Sequence, residues 1–169
     1  MGFTDLIIKL SNTKFARKFQ YEPYIIKSVE YINPKKEDRV LTIYKDADYL
    51  KSLMHQYIKD EHYASFEVND KINSKEMFDK VVLFFSINDL GKSHIDFILS
   101  HMKKNGELFS IFYLNSSKFF EWTLKLTDRD TFKSIGHTNS VLEEEGFILK
   151  DRLELPKLYI AINNYGLGG

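Results

Sequence analysis

The stretch that decides the fold is Asp38–Leu50, "DRVLTIYKDADYL". Arg39 to Tyr44 is a short run rich in β-formers, and a helical spacing of apolar residues starts at Leu50. The segment therefore reads as a buried strand turning straight into a helix. Many nucleotide-binding α/β proteins have a glycine-rich turn at such a place. Here the turn is Tyr44, Lys45, Asp46, Ala47 and Asp48, with no glycine. Two uses of this turn compete: a cradle for a nucleotide-like cofactor, or a plain cap on the helix that follows.

Working outward, strands and helices alternate. Leu50, Leu53, Met54, Tyr57 and Ile58 make one helical stripe, with Asp48 as its expected N-cap. Before the strand, Pro23 fits a first helical turn, and Tyr24, Ile25, Ser28, Val29 and Ile32 recur at helical spacing up to Asn33-Pro34. After it, "YASFEV" (Tyr63 to Val68) reads as a second strand closed by Asn69-Asp70. "KVVLFFSI" (Lys80 to Ile87) is a continuous apolar run, as expected of a central strand covered on both faces. A helix with Ile95, Ile98 and Met102 on one face follows, and Asn105-Gly106 is expected to end it as a left-handed cap. "ELFSIFYL" (Glu107 to Leu114) is a further buried strand. From Asn115 to His137 neither period fits, although Phe119, Phe120, Trp122 and Leu124 are apolar. Ser140 and Glu143 suggest a capping box for a short helix ended by Gly146. "FILKDRLEL" and "LYIAIN" then read as an antiparallel pair.

This order predicts an α/β fold, a Rossmann-like three-layer sandwich with a mainly parallel sheet and a C-terminal antiparallel hairpin. With 169 residues, the chain is expected to form one domain, 1–169, with 1–20 as an N-terminal extension and 163–169 as a mobile tail. Ligands in such sheets sit beyond the carboxyl ends of the strands, near the point where strand order reverses. Those ends are Tyr44 to Asp48, Asn69 to Lys71, Ser86 to Leu90 and Tyr113 to Ser116.

Bulk composition narrows the classes. Hydrophobic residues at 43% and aromatics at 15% support a folded core. Lys and Arg total 24 against 24 Asp and Glu, so no global field attracts nucleic acid or an anionic membrane. The one local asymmetry is N-terminal, where Lys9, Lys14, Arg17 and Lys18 stand against Asp5. Cysteine is absent, which excludes disulfides, thiolate nucleophiles and zinc–sulfur sites. No stretch approaches the roughly 18 apolar residues of a membrane span. "MGFTDL" opens like an acylation signal but carries Leu6 where Ser or Thr belongs. The expectation is a cytoplasmic protein with no membrane contact and no nucleic-acid partner indicated.

Five segments carry a resemblance: "INPKKEDRVLTI", "FEVND", "MFDKVVLFFSINDL", "MKKNGELFSIFY" and "VLEEEGFILKDRLELPKLYIAI". Together, over about Ile32 to Ile162, they resemble the class I S-adenosylmethionine-dependent methyltransferases. The resemblance implies S-adenosylmethionine as cofactor. It places the contacts at Tyr44, Asp46 and Asp48 after the first strand, and at Asp70 and Lys71 after the next. After the central strand it places them at Ser86, Ile87 and Asn88, beside the transferred methyl. Asp70 would meet the adenine amino group; as an Asn-Asp pair it is equally a turn former. Asp46 and Asp48 would suit the methionine amino group, and suit helix capping as well.

The chain also departs from that family. No glycine occurs between Phe3 and Leu90, so a cofactor cradle of bare backbone cannot be built after the first strand in the usual way. Two strands precede the central one, where the family usually has three. Either Arg39–Tyr44 is the first strand and a later unit is lost, or it is the second and the glycine-bearing first unit is missing. No "NPPY"-type tetrad supports methylation of a nucleobase amine, and no catalytic acid or base is identified.

Other constellations carry less. His94 and His101 share a helix face two turns apart, about 10 Å, too far for one metal ion. No phosphate-binding loop and no nucleophile elbow occurs. Phe119, Phe120 and Trp122 mark a ligand lid or partner surface, or core. A shortened sheet leaves an edge, from which a homodimer or another protein partner is expected. The reading is a methyltransferase-like protein with an eroded cofactor site, S-adenosylmethionine bound weakly or not at all, serving as a binding or regulatory pseudo-enzyme. The alternative is an active methyltransferase with a glycine-free cofactor loop.

Overall fold

In the computed structural model, a six-stranded sheet runs in the order β2-β1-β3-β4-β6-β5. The structure describes residues 14–45, 49–72, 74–84, 86, 90–113, 142–155 and 158–165. Helix α1 is Lys14–Ile32, strand β1 Val40–Tyr44, helix α2 Tyr49–Met54 and strand β2 Tyr63–Glu67. Strand β3 is Phe78–Phe84, helix α3 Lys92–His101 and strand β4 Met102–Tyr113. Strands β5, Phe147–Glu154, and β6, Leu158–Tyr165, form the closing hairpin.

β2, β1, β3 and β4 pair in parallel, and β6 is antiparallel to both β4 and β5. This is the expected sandwich. The continuous apolar run in β3 is explained by its two covered faces. Val82 and Phe84 pack with Ile25, Val29, Leu50 and Met54 of α1 and α2, whereas Val81 and Leu83 pack with Ile98 of α3. Phe78, Phe84, Phe109 and Phe147 are fully buried anchors, and truncating any one to alanine costs about 3–5 kcal/mol.

Three expectations change. Pro23 lies inside α1 rather than in its first turn, because the helix starts at Lys14. A proline there gives up one backbone bond, and the fully buried Ile25, Val29 and Ile32 beyond it hold the helix against the sheet. The helix does end as expected: Asn33 has φ 46 and its N–H donates to the Val29 carbonyl at 3.0 Å.

Asn105-Gly106 is not a helix cap. α3 ends at His101, and 102–113 is strand. Phe78 pairs with Met102 and Lys80 with Glu107, so residues 103–106 form a bulge. Gly106 is required by space: a Cβ would stand 2.6 Å from Met102 Cγ and 2.9 Å from the Lys103 carbonyl oxygen. Finally, β6 continues through Tyr165 and Asn163 is fully buried, so the sheet includes the first residues of the stretch read as a tail. Backbone pairing with β4 and β5 outweighs the polar composition there.

Gly146 is left-handed at φ 88 and its N–H donates to the Glu143 carbonyl at 3.0 Å, as expected of a helix-ending glycine. Ser140 of the expected capping box lies outside the described residues, as do Phe119, Phe120, Trp122 and Leu124.

Candidate functional site at the carboxyl ends of the strands

Strand order reverses at β1. From β1 the chain crosses outward to β2, then returns to β3 on the other side. The crevice beyond Tyr44 and Phe84 is therefore where this architecture places a ligand. Of the candidate residues, Tyr44, Asp70, Lys71 and Ser86 are described; Asp46, Asp48, Ile87 and Asn88 lie outside the described residues.

The backbone is tied together across this crevice. The Lys45 N–H donates to the Phe84 carbonyl at 3.1 Å, and the Val68 N–H to the Tyr44 carbonyl at 2.9 Å. Ser86 is fully buried, and its Oγ donates to the Ile43 carbonyl at 2.9 Å. It closes β3 onto β1, with its hydroxyl proton already committed.

Asp70 is exposed and locks a turn. Its Oδ2 accepts the Glu67 N–H at 3.0 Å while its own N–H donates to the Glu67 carbonyl at 2.8 Å. That is the turn-former's role for an Asn-Asp pair. Lys71 beside it is exposed.

His94, weighed from the sequence only as a metal ligand paired with His101, takes a different place in the structure. The Gly91 N–H donates to His94 Nδ1 at 3.1 Å, and His94 Nε2 lies 2.9 Å from the Val68 carbonyl oxygen. An Nδ1 that accepts is unprotonated, so the proton sits on Nε2 and is donated to Val68. Both ring nitrogens are thereby engaged. His94 joins the start of α3 to the end of β2. Its one sequence signal is its place three residues after Gly91, the N-cap of α3.

His101 is likewise absorbed locally. Its Nδ1 lies 2.9 Å from the Phe97 carbonyl oxygen, and its ring stacks on Phe97 at 4.0 Å. Among the described residues no group of three or more His, Cys, Asp or Glu could hold a metal ion.

At the opposite, amino end of the strands, Tyr63 of β2 pairs with Val40 and has a buried hydroxyl without a hydrogen-bond partner among the described residues. Burial pushes its pKa up, and the nearby Thr42 and Ser65 hydroxyls pull the other way.

The Ser86 hydroxyl proton, the His94 ring nitrogens and the Lys45 and Val68 N–H groups all bond inside the protein. A cradle for methionine and ribose needs such donors turned outward.

No family model matches the chain. No curated protein matches it in sequence. Solved structures do match in shape. An O-methyltransferase family protein from Burkholderia thailandensis aligns at TM-score 0.60 and 12% identity, covering 99% of this chain and 59% of that one. A SAM dependent methyltransferase from Aquifex aeolicus aligns at TM-score 0.59 and 12% identity, covering 96% of this chain and 98% of that one. The glycopeptide N-methyltransferase MtfA, solved with sinefungin, aligns at TM-score 0.53 and 9% identity, covering 83% of this chain and 92% of that one. The chain spans only 54% of the pyocyanin biosynthetic protein PhzM, another match at TM-score 0.57 and 12% identity. The fold is that of the class I S-adenosylmethionine-dependent methyltransferases.

Proposed function

We propose that this chain keeps the methyltransferase-like fold as a binding or regulatory protein, with an eroded S-adenosylmethionine site. The observation that carries the reading is the set of internal bonds across the switch point, Ser86 to Ile43, Lys45 to Phe84 and His94 to Val68. The glycine-free turn after β1 supports it from the sequence. The binding role rests on β2, a five-residue strand at the sheet edge with no buried residue. A second copy or another subunit would add to that edge.

Thermal unfolding with S-adenosylmethionine or S-adenosylhomocysteine tests the cofactor half. A ligand at about 100 times its Kd stabilises by roughly 2.7 kcal/mol, a readily measured melting shift. No shift at millimolar cofactor is expected. A clear shift that Asp70→Ala abolishes would instead favour an active methyltransferase with a glycine-free loop. Light scattering tests the binding half: a species of twice the 19.9 kDa chain mass supports self-association, and a lone monomer opposes it.

A further inference from the structure

Asn105-Gly106 is the single Asn-Gly pair of the sequence, and the β4 bulge sets it apart from the rest of the sheet. Asn105 is exposed, as are Lys103 and Lys104 before it, whereas Gly106 is buried. The ladder to β3 passes from Met102 directly to Glu107, and the ladder to β6 begins at Glu107. Asn105 therefore has no ladder partner on either side among the described residues.

Such a pair is chemically reactive. The Gly106 nitrogen can close a five-membered ring on the Asn105 side chain, because glycine has no Cβ to block the approach. A bulkier residue at 106 would slow that closure, but the fold forbids one. A Cβ there would stand 2.6 Å from Met102 Cγ, 2.9 Å from the Lys103 carbonyl oxygen and 3.2 Å from that of Asp79. Ring closure also turns the peptide between the two residues, a rotation that ladder bonds resist. The exposed Lys104 puts a positive charge next to a nitrogen that attacks as an anion, which favours its deprotonation.

We propose that Asn105 is a site of spontaneous deamidation and isomerisation, with water as the co-reactant. The Gly106 N–H gives its proton to solvent base, and the nitrogen bonds to Asn105 Cγ. The Cγ–Nδ2 bond then breaks, and ammonia leaves with a proton from solvent, giving a succinimide. Water opens this ring in one of two ways. Cleavage at Cγ leaves aspartate with an unchanged main chain. Cleavage at the Asn105 main-chain carbonyl carbon leaves isoaspartate, whose main chain runs through Cβ and Cγ. Nothing is oxidised or reduced: one water is consumed and one ammonia released.

Isoaspartate adds one carbon to the main chain of a bulge with no spare room at Gly106. Lys103 fastens that bulge to both carboxylate oxygens of Asp79. The product therefore strains the junction of β3 and β4, at the amino end of the strands and away from the crevice.

The test incubates the full folded chain in mildly alkaline and in mildly acidic buffer. Peptide mapping then follows, by mass spectrometry with fragmentation that separates aspartate from isoaspartate. Asn69, exposed and followed by Asp70, is the internal comparison. Asn105 is expected to convert before Asn69, faster in the alkaline buffer, with isoaspartate among the products and a falling melting temperature. Asn105→Gln, whose ring would be six-membered, should lose the conversion and hold its melting temperature through the incubation. Freshly prepared Asn105→Asp, which carries the charge without the added carbon, should melt like wild type. Conversion of Asn105 only after unfolding in urea, or no faster than at Asn69, would overturn the proposal.

Discussion

Lys103 Nζ lies 2.8 Å from both carboxylate oxygens of Asp79, fastening the β4 bulge to the start of β3. Asp79 Oδ2 also accepts the Arg39 N–H at 2.9 Å, so one carboxylate ties together the entries of three neighbouring strands. Asp79→Ala should therefore lower stability by about 1–2 kcal/mol, allowing for the partial exposure of the ion pair. Lys103→Ala should cost less, since the Arg39 bond remains. Denaturant unfolding of both variants checks the order; equal costs would contradict it.

The same carboxylate sets a pH dependence. Burial opposes the charge on Asp79, but the bonds from Lys103 and the Arg39 N–H and the nearby charges of Lys103 and Lys80 outweigh it, so its pKa falls below the usual value. Glu107 behaves alike: burial is outweighed by bonds from Lys150 and Lys80. A folded pKa below the unfolded one gives stability that is complete above the unfolded pKa, about 4. It is lost as pH falls through the lower folded value. Acid unfolding curves of Asp79→Asn should be flatter below about pH 4 than those of wild type.

At the alkaline end the sign reverses. Tyr31 donates to Asp151 Oδ2 at 2.7 Å, joining α1 to β5. Burial, that hydrogen bond and the Asp151 charge push the Tyr31 pKa up to about 12 from 10.0. The neutral hydroxyl is favoured in the fold, so its contribution is full below pH 10.0 and vanishes as pH rises towards about 12. Tyr31→Phe should be less stable than wild type at neutral pH, with the difference closing above pH 10.0. A constant difference across that window would refute the assignment.

His94→Ala should free the Gly91 N–H and the Val68 carbonyl. A cost of about 1–2 kcal/mol follows, with faster amide hydrogen exchange at Gly91 and around Val68. His94→Gln, which keeps one donor and one acceptor, should recover part of that protection. Unchanged exchange in the alanine variant would remove His94 from the closure of the crevice.

Gly106→Ala tests the bulge. The new methyl would meet Met102 Cγ, which can move, but also the Lys103 carbonyl oxygen at 2.9 Å, which cannot move without displacing the bulge. A loss of about 1–3 kcal/mol is expected, read from the melting temperature.

The sequence by itself determined the alternation of elements, the two-faced burial of β3, the closing hairpin and the methyltransferase-like class. These depend on local periodicity and turn chemistry, which a single chain displays directly. The missing glycine after β1 was legible in the same way. Tertiary structure decided what local signals could not. Asn105-Gly106 has the composition of a helix cap, but pairing of Met102 with Phe78 makes it a strand bulge. Asn163 and Asn164 have the composition of a tail, but β4 and β5 pair with them on both sides. Ser86 and His94 could each have faced a ligand; only the structure shows that they bond the Ile43 and Val68 carbonyls at the ends of other strands. The physical reason is range. Helical and strand periods are written within a few residues, whereas the fate of a buried polar group depends on partners that lie up to 43 residues away.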